Sequence, residues 1–263
     1  MKINKVMYLI IASFLLVFTA CEPIVNEQHL VDSTNVEGVQ LVATQSTPGG
    51  NEITLNMVTP GITGYWDLGL GRKALTNEVT FIHPIPGKAT FKYVGTLGSQ
   101  FFTKTIDVQI DKLDHPLDPM WYALVSNNTA AGKTWVFDGT GGSGKLWWFM
   151  SAPGSPDGAM GVWWNAGDCC GPSDAAGKMS FDLNGDANFN HYATLTAPAE
   201  KGSFVLDVAN KKLIISGSKM LGSAAGNKDG VYSIVTLTPD KMVLYLSNSE
   251  TYGTGWTFVF KPQ

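Results

Sequence analysis

Two tryptophan pairs and one cysteine pair fall between residues 147 and 170: Trp147-Trp148, Trp163-Trp164 and Cys169-Cys170. Indole is a large, rigid ring that makes contact at little entropic cost. It stacks on the apolar C–H face of a pyranose, whose hydroxyl edge needs donors and acceptors. Trp121, Trp135 and Trp256 bring seven of the eight tryptophans into residues 120–263, more than a core of that size needs. Neighbours on a strand point to opposite faces. One ring of each pair is therefore expected in the core and the other beside a groove. Polar, glycine-rich stretches at 139–145, 151–159 and 165–178 flank the pairs. The candidate sugar-contacting set is Trp147, Trp148, Trp163, Trp164, Asn165 and Asp168. Asp157 and Lys145 are further edge contacts, and the loop Asp168 to Pro172 forms the border.

Catalytic and metal chemistries fit the residues less well. Most glycosidases set two carboxylates across the scissile bond. Residues 120–263 hold only two glutamates, Glu200 and Glu250, both away from the tryptophans. Asp138, Asp157, Asp168 and Asp174 have Gly or Pro nearby, and turn chemistry accounts for them. His191 is the main candidate base, without a Gly-x-Ser-x-Gly nucleophile. No catalytic residue and no cofactor is expected. Asp182, Asn184, Asp186 and Asn188 begin like a calcium loop. Ala187 and Ala193 occupy the positions of its glycine and bidentate glutamate, so a polar turn is expected. Cys169 and Cys170 lack the partners of a four-ligand zinc site. They can close a vicinal disulfide or stand as two thiols.

Strands must position these side chains. Phe102, Lys104, Ile106, Val108 and Ile110 alternate with Thr103, Thr105, Asp107 and Gln109, a period of two that puts one face on a core. Phe91 and Tyr93 do the same. Phe204, Leu206 and Val208 lead through Ala209-Asn210-Lys211 into Leu213-Ile214-Ile215. Thr238 to Lys241 reads as a hairpin turn, and Trp256, Phe258 and Phe260 share one face. No long helical period is present. The fold class is all-β: residues 38–112 as a small immunoglobulin-like sandwich, 113–119 as a linker with two prolines, and 120–263 as a larger β domain. That second domain is expected as a β-sandwich of jelly-roll type, with a lipocalin-like barrel as the alternative because its last strands run in hairpin order.

The N-terminus reads as an address. Lys2 and Lys5 precede an apolar run, Val6 to Ala20, too short to span a bilayer and proportioned as a secretory signal. It ends Val17-Phe18-Thr19-Ala20-Cys21, which resembles a bacterial lipobox. Residues 1–20 are then a signal peptide, Cys21 the acylated residue, and 21–37 a tether. Removing 1–20 takes away two lysines and no acid, moving the formal charge from -4 to -6. A clustered basic face for nucleic acid is not apparent.

Tyr65-Trp66-Asp67-Leu68-Gly69-Leu70-Gly71, then Thr76 to Phe81, then Pro86-Gly87-Lys88-Ala89-Thr90-Phe91-Lys92-Tyr93-Val94 resemble the PKD family of immunoglobulin-like modules. Leu70 and Ala89 depart from that pattern. Such modules serve as spacers, so Trp66 is expected in the core. The layout of lipobox, tether, PKD-like module and Trp-rich β domain is similar to surface glycan-binding lipoproteins that accompany SusC/SusD-type importers of Bacteroidota. The resemblance implies outer-membrane anchoring, a polysaccharide ligand such as a β-glucan, and an importer as partner. A glycoside hydrolase or lyase, and a structural or adhesive surface protein, are the other two classes. Mass spectrometry of the mature N-terminus is expected to find lipid on Cys21; an unmodified Cys21, or cleavage elsewhere, would overturn the lipobox reading.

Overall fold

The computed structural model describes residues 38–263 apart from 98 and 99. The signal segment, Cys21 and the tether lie outside the described residues. The described chain is almost entirely β, as expected, and its strands form a two-sheet sandwich followed by a closed barrel.

One sheet of the sandwich orders β1 (Leu41–Gln45), β2 (Glu52–Met57) and β5 (Glu78–Ile82) as β1-β2-β5. The other orders β3 (Thr63–Asp67), β4 (Lys73–Ala74), β6 (Gly87–Leu97) and β7 (Gln100–Ile110) as β4-β3-β6-β7. Alternation drives each strand's apolar face inward: Ile53, Leu55 and Met57 from one sheet, Phe91, Tyr93, Phe102 and Val108 from the other. Trp66 sits fully buried at the centre, edge-on to Tyr93 at 5.1 Å. Its Nε1 donates to the Asn77 carbonyl at 3.0 Å, and Tyr93 donates to Asn77 Oδ1 at 2.6 Å. One asparagine thereby satisfies two buried ring donors.

Residues 113–118 are sutured to the sandwich rather than free. Asn51 donates to the carbonyls of His83 and His115, at 3.2 and 3.0 Å, and accepts from the His115 N–H at 2.9 Å. Thr47 and the Asn51 N–H both donate to Asp114, whose carboxyl those bonds hold well below the ordinary range. Asp118 then caps a short helix, α1 (Pro119–Val125), by accepting from the Met120 N–H at 2.8 Å. Proline at the first helical position gives up no hydrogen bond there.

Helix α1 closes one end of the barrel. Trp135 Nε1 donates to the Leu124 carbonyl at 3.0 Å and Lys133 Nζ to Ala123 at 2.6 Å. The barrel strands are β8 (Lys133–Phe137), β11 (Lys178–Asp182), β12 (Asn188–Tyr192), β13 (Glu200–Asp207), β14 (Lys212–Ser216), β15 (Val231–Thr238), β16 (Lys241–Leu246) and β17 (Gly255–Pro262). Each pairs antiparallel with the next, and β17 returns to β8, with Phe260 opposite Phe137. That closure makes an up-and-down barrel, so the jelly-roll expectation for 120–263 gives way to the lipocalin-like alternative. A jelly roll needs long crossovers between sheets; here hairpins join β11 through β17. The Asp182–Asn188 stretch is one of those hairpin turns, with Asn188 Nδ2 donating to Asp182 at 2.7 Å.

Sandwich and barrel meet through apolar side chains. Leu70, Ile82, Ile85, Leu117 and Trp121 belong to the same packed cluster as the barrel interior. Leu70 lies at the tip of the β3–β4 turn with φ +52°, a left-handed conformation uncommon for leucine. Beside it Gly71 has φ +73°, and a Cβ there would lie 3.0 Å from Val205 of the barrel.

His83 stands next to this junction, buried between Phe81 and Phe91. Burial first, and then the Arg72 charge, push its pKa down to about 4. The unfolded chain binds a proton near pH 6.5 that the folded chain refuses, so stability rises with pH between about 4 and 6.5. The shift corresponds to roughly 3 kcal/mol across that window. His83→Phe is expected to remove this component, leaving the variant's urea stability less dependent on pH than the wild type's between pH 4.5 and 7.5. Parallel profiles would rule the assignment out.

Candidate functional site

The sequence-selected side chains all lie in the 138–177 insertion between β8 and β11. It contributes two further strands, β9 (Trp148–Ser151) and β10 (Trp164–Asn165). The insertion begins as an interruption of a barrel strand. The Asp138 N–H donates to the Val259 carbonyl at 3.0 Å, and the Val259 N–H to the Trp147 carbonyl at 2.7 Å. Residues 139–146 therefore loop out while β9 resumes the pairing with β17, Trp148 opposite Phe258.

This interruption decides the first tryptophan pair. Trp147 is fully buried, edge-on to Phe137 at 4.9 Å, and Trp148 is 4% exposed. Gly139 and Gly171 close over the Trp147 ring: a Cβ at either would fall within 2.5 Å of an indole carbon. Trp148 donates from Nε1 to the Gly222 carbonyl at 3.2 Å and packs 4.5 Å from Trp256. Neither ring offers a stacking face, which corrects the expectation for Trp147 and Trp148. The alternation argument fails because Trp147 sits at a bend just before β9, and both rings pack into the same core cluster.

The second pair divides as alternation predicts. The Trp163 N–H is fixed to the Met150 carbonyl at 2.9 Å, and its side chain is 59% exposed. Trp164 is half-buried and turns the other way, to Trp148 and Trp256 at 6.0 and 6.1 Å. Tyr252, in the β16–β17 turn, stacks on Trp256 at 4.5 Å with an interplanar angle of 22° and remains 46% exposed. A wall of rings thus runs Trp164–Trp256–Tyr252 at the barrel rim, with the Trp163 indole behind it on the outer side of β10. Sequence reasoning missed Tyr252. Its one signal was an aromatic between Thr251 and Gly253 in a turn, where a core does not require it.

The polar candidates separate as well. Asn165 is buried, and its Oδ1 accepts from the Gly167 N–H at 3.0 Å. It shapes the turn and offers no edge contact, correcting its assignment. Asp168 is exposed beside that turn. Asp157 sits in a short 3-10 turn capped by Ser155, and Lys145 reaches Asp138 at 3.4 Å. Cys169 and Cys170 are exposed free thiols rather than a disulfide. Their mutual hydrogen bond raises the Cys169 thiol first, and desolvation adds to it.

His191 is fully buried inside the rim. Its Nε2 lies 3.2 Å from Asp174 and its Nδ1 3.4 Å from Glu200. Asp174 also accepts from the Gly222 N–H at 3.1 Å. Burial, opposed by a bond from Asn227 and aided by the Asp174 charge, pushes the nearby Tyr232 up to about 12. Asp174 ties the insertion to β12 and to the β14–β15 loop. Among the described residues no group of three His, Cys, Asp or Glu side chains is placed to hold a metal ion.

No protein-family model matches this chain, and no curated protein does. The burial difference between the pairs has a direct consequence. Trp148→Ala is expected to cost about 3–5 kcal/mol of stability, as for a core indole. Trp163→Ala should leave the melting temperature within a degree or so, since exposed substitutions away from special features cost about 0.5 kcal/mol or less. Thermal unfolding of the two variants checks both; equal losses would mean that Trp163 is structural.

Proposed function

We propose that this protein is a non-catalytic glycan-binding protein whose ligand stacks on the barrel rim. The observation that carries the reading is the exposure of Trp163. An indole held by its backbone to β9, with most of its surface in water, meets no packing need of the core. Trp164 and Tyr252 present a separate ring surface on the other side of β10, braced by the buried Trp256. Asp168 supplies an acceptor at the edge of the same insertion. A ring surface already fixed by its neighbours binds without a large ordering cost.

The remaining parts of the reading rest on the sequence. The lipobox-like segment ending at Cys21 would anchor the chain at the outer membrane. The PKD-like pattern in 38–112 would make the sandwich a spacer that lifts the barrel from the surface. On this reading the partners are an extracellular polysaccharide, with a β-glucan as one class, and a SusC/SusD-type importer that takes the captured glycan.

A second reading has one observation in its favour. Met160, Val162 and Trp163 are all exposed within four residues, an apolar strip that a protein partner can also cover. Affinity electrophoresis against a polysaccharide panel, with product analysis of the same mixtures, separates the readings. Retardation without new reducing ends or unsaturated products is expected. Trp163→Ala and Tyr252→Ala should each weaken the retarding interaction about tenfold to hundredfold, taking base stacking as the analogue. Cleaved products would instead make it an enzyme. Silence across the panel, with the wild type folded, would favour the protein-binding reading.

A further inference from the structure

Cys169 and Cys170 are exposed, and their thiols hydrogen-bond to each other. Among the described residues no third ligand completes a metal site with them. Two adjacent thiols in contact have one further chemistry, closure to a disulfide across their own peptide bond. Consecutive Cα atoms stand roughly 3.8 Å apart across a trans peptide. An unstrained disulfide spans about 4.4–6.8 Å between its Cα atoms. The ring is therefore strained when closed, and strained, exposed disulfides are the easily reduced ones. A pair so placed is poised between two states rather than committed to one.

The chain on either side of the pair is held. Before it, the Gly144 N–H donates to the Gly167 carbonyl at 2.9 Å. After it, Gly171 lies against the fully buried Trp147 ring with no room for a side chain. Between these points, Gly141 packs so closely on the Cys169 carbonyl that a Cβ would lie 2.5 Å from the oxygen. That carbonyl belongs to the peptide that ring closure must twist. With Gly171 wedged on a core indole, the movement is directed the other way, to Gly141 and the loop 139–146.

We propose that Cys169 and Cys170 are a reversible redox site, whose closure to a vicinal disulfide displaces the loop 139–146 through the Cys169 carbonyl. The oxidant is a low-molecular-weight disulfide. One thiolate of the pair attacks a sulfur of that disulfide; its S–S bond breaks and one thiol leaves. The neighbouring sulfur then attacks the mixed disulfide, forms the Cys169–Cys170 bond and expels the second thiol. The two protons of the pair end on the two released thiols. The cysteines are oxidised by two electrons and the oxidant is reduced by two. The second attack is intramolecular between groups already in contact, so the mixed disulfide does not persist. Neither state requires a glycan.

Full-length protein is equilibrated with glutathione and glutathione disulfide at varied ratios, quenched with N-ethylmaleimide and mapped by peptide mass spectrometry. In excess glutathione the peptide holding the pair is expected doubly alkylated. In excess glutathione disulfide it is expected unalkylated and lighter by two hydrogens, and the two forms should interconvert in both directions. Alkylation that persists under excess disulfide, a lasting glutathione adduct, a ring that glutathione cannot open, or a bridge to Cys21 would each overturn the proposal. Cys169→Ser and Cys170→Ser are each expected to retain a glutathione adduct in place of the ring; loss of two hydrogens in either would count against it. Amide hydrogen exchange reads the coupling. Exchange across 139–146 is expected to be roughly two- to tenfold faster in the closed form, the worth of one hydrogen bond such as that from Gly144 to Gly167. The variant carrying both serines should exchange equally in the two buffers. Equal exchange in open and closed wild type, or the same change in the double variant, would sink the idea.

Discussion

Strand β17 is the member on which the rest of the barrel depends. Gly255 to Phe260 is buried without a break, an unusual condition for a strand in an antiparallel barrel. Inward, Trp256, Phe258 and Phe260 fill the barrel. Outward, Thr257 and Val259 are covered: Thr257 Oγ1 donates to the Ala159 carbonyl at 2.5 Å, and Val259 packs with Phe149 and Val243. Along its edge β17 pairs with β16 on one side and with β9 and β8 in succession on the other. Barrel closure and attachment of the insertion are thus one set of hydrogen bonds. The rim rings are held by the same strand that completes the hydrogen-bonded wall.

The sequence is most readable where the chain is locally regular. The β13–β17 hairpins show in the alternation from Phe204 onward and in the Thr238–Lys241 turn, because each contact is between neighbours in sequence. Barrel closure is different. Pairing of Phe260 with Phe137 joins residues far apart, and nothing in either segment's own pattern specifies it. Only hairpin order hinted at a barrel, and hairpin order is equally compatible with an open meander. Helix α1 was missed for a related reason. Its seven residues are too few to show a helical period. Asp118 followed by Pro119, an N-cap and a first-turn proline, was nevertheless visible and was read as linker stiffness.

The candidate site was legible by half, and the tryptophans show why. Alternation assigned opposite faces to Trp163 and Trp164, which lie in or beside a strand. It failed for Trp147 and Trp148, because the strand is interrupted between Asp138 and Trp147. Glycine-rich composition suggested open loops, yet Gly139 and Gly171 are small because Trp147 occupies the space that side chains would need. Asn165 looked like a hydroxyl partner and acts as a turn former. In each case composition identified the right region. Burial, which depends on distant segments, determined the role.

A barrel filled with large rings also limits where a ligand can meet it. Trp135, Phe181, Phe189 and Phe204 occupy the interior towards α1, and Trp148, Trp256 and Phe258 occupy it towards the rim. Such a barrel presents its ends and outer surface rather than a lumen. Helix α1 closes one end, and the sandwich packs beside it through Leu117 and Trp121. What remains is the opposite rim, where the 138–177 insertion has been added. The buried rings there have a second effect. Trp164 and Tyr252 each rest on Trp256, which is itself fixed by Trp148, so the exposed rings inherit the rigidity of the core.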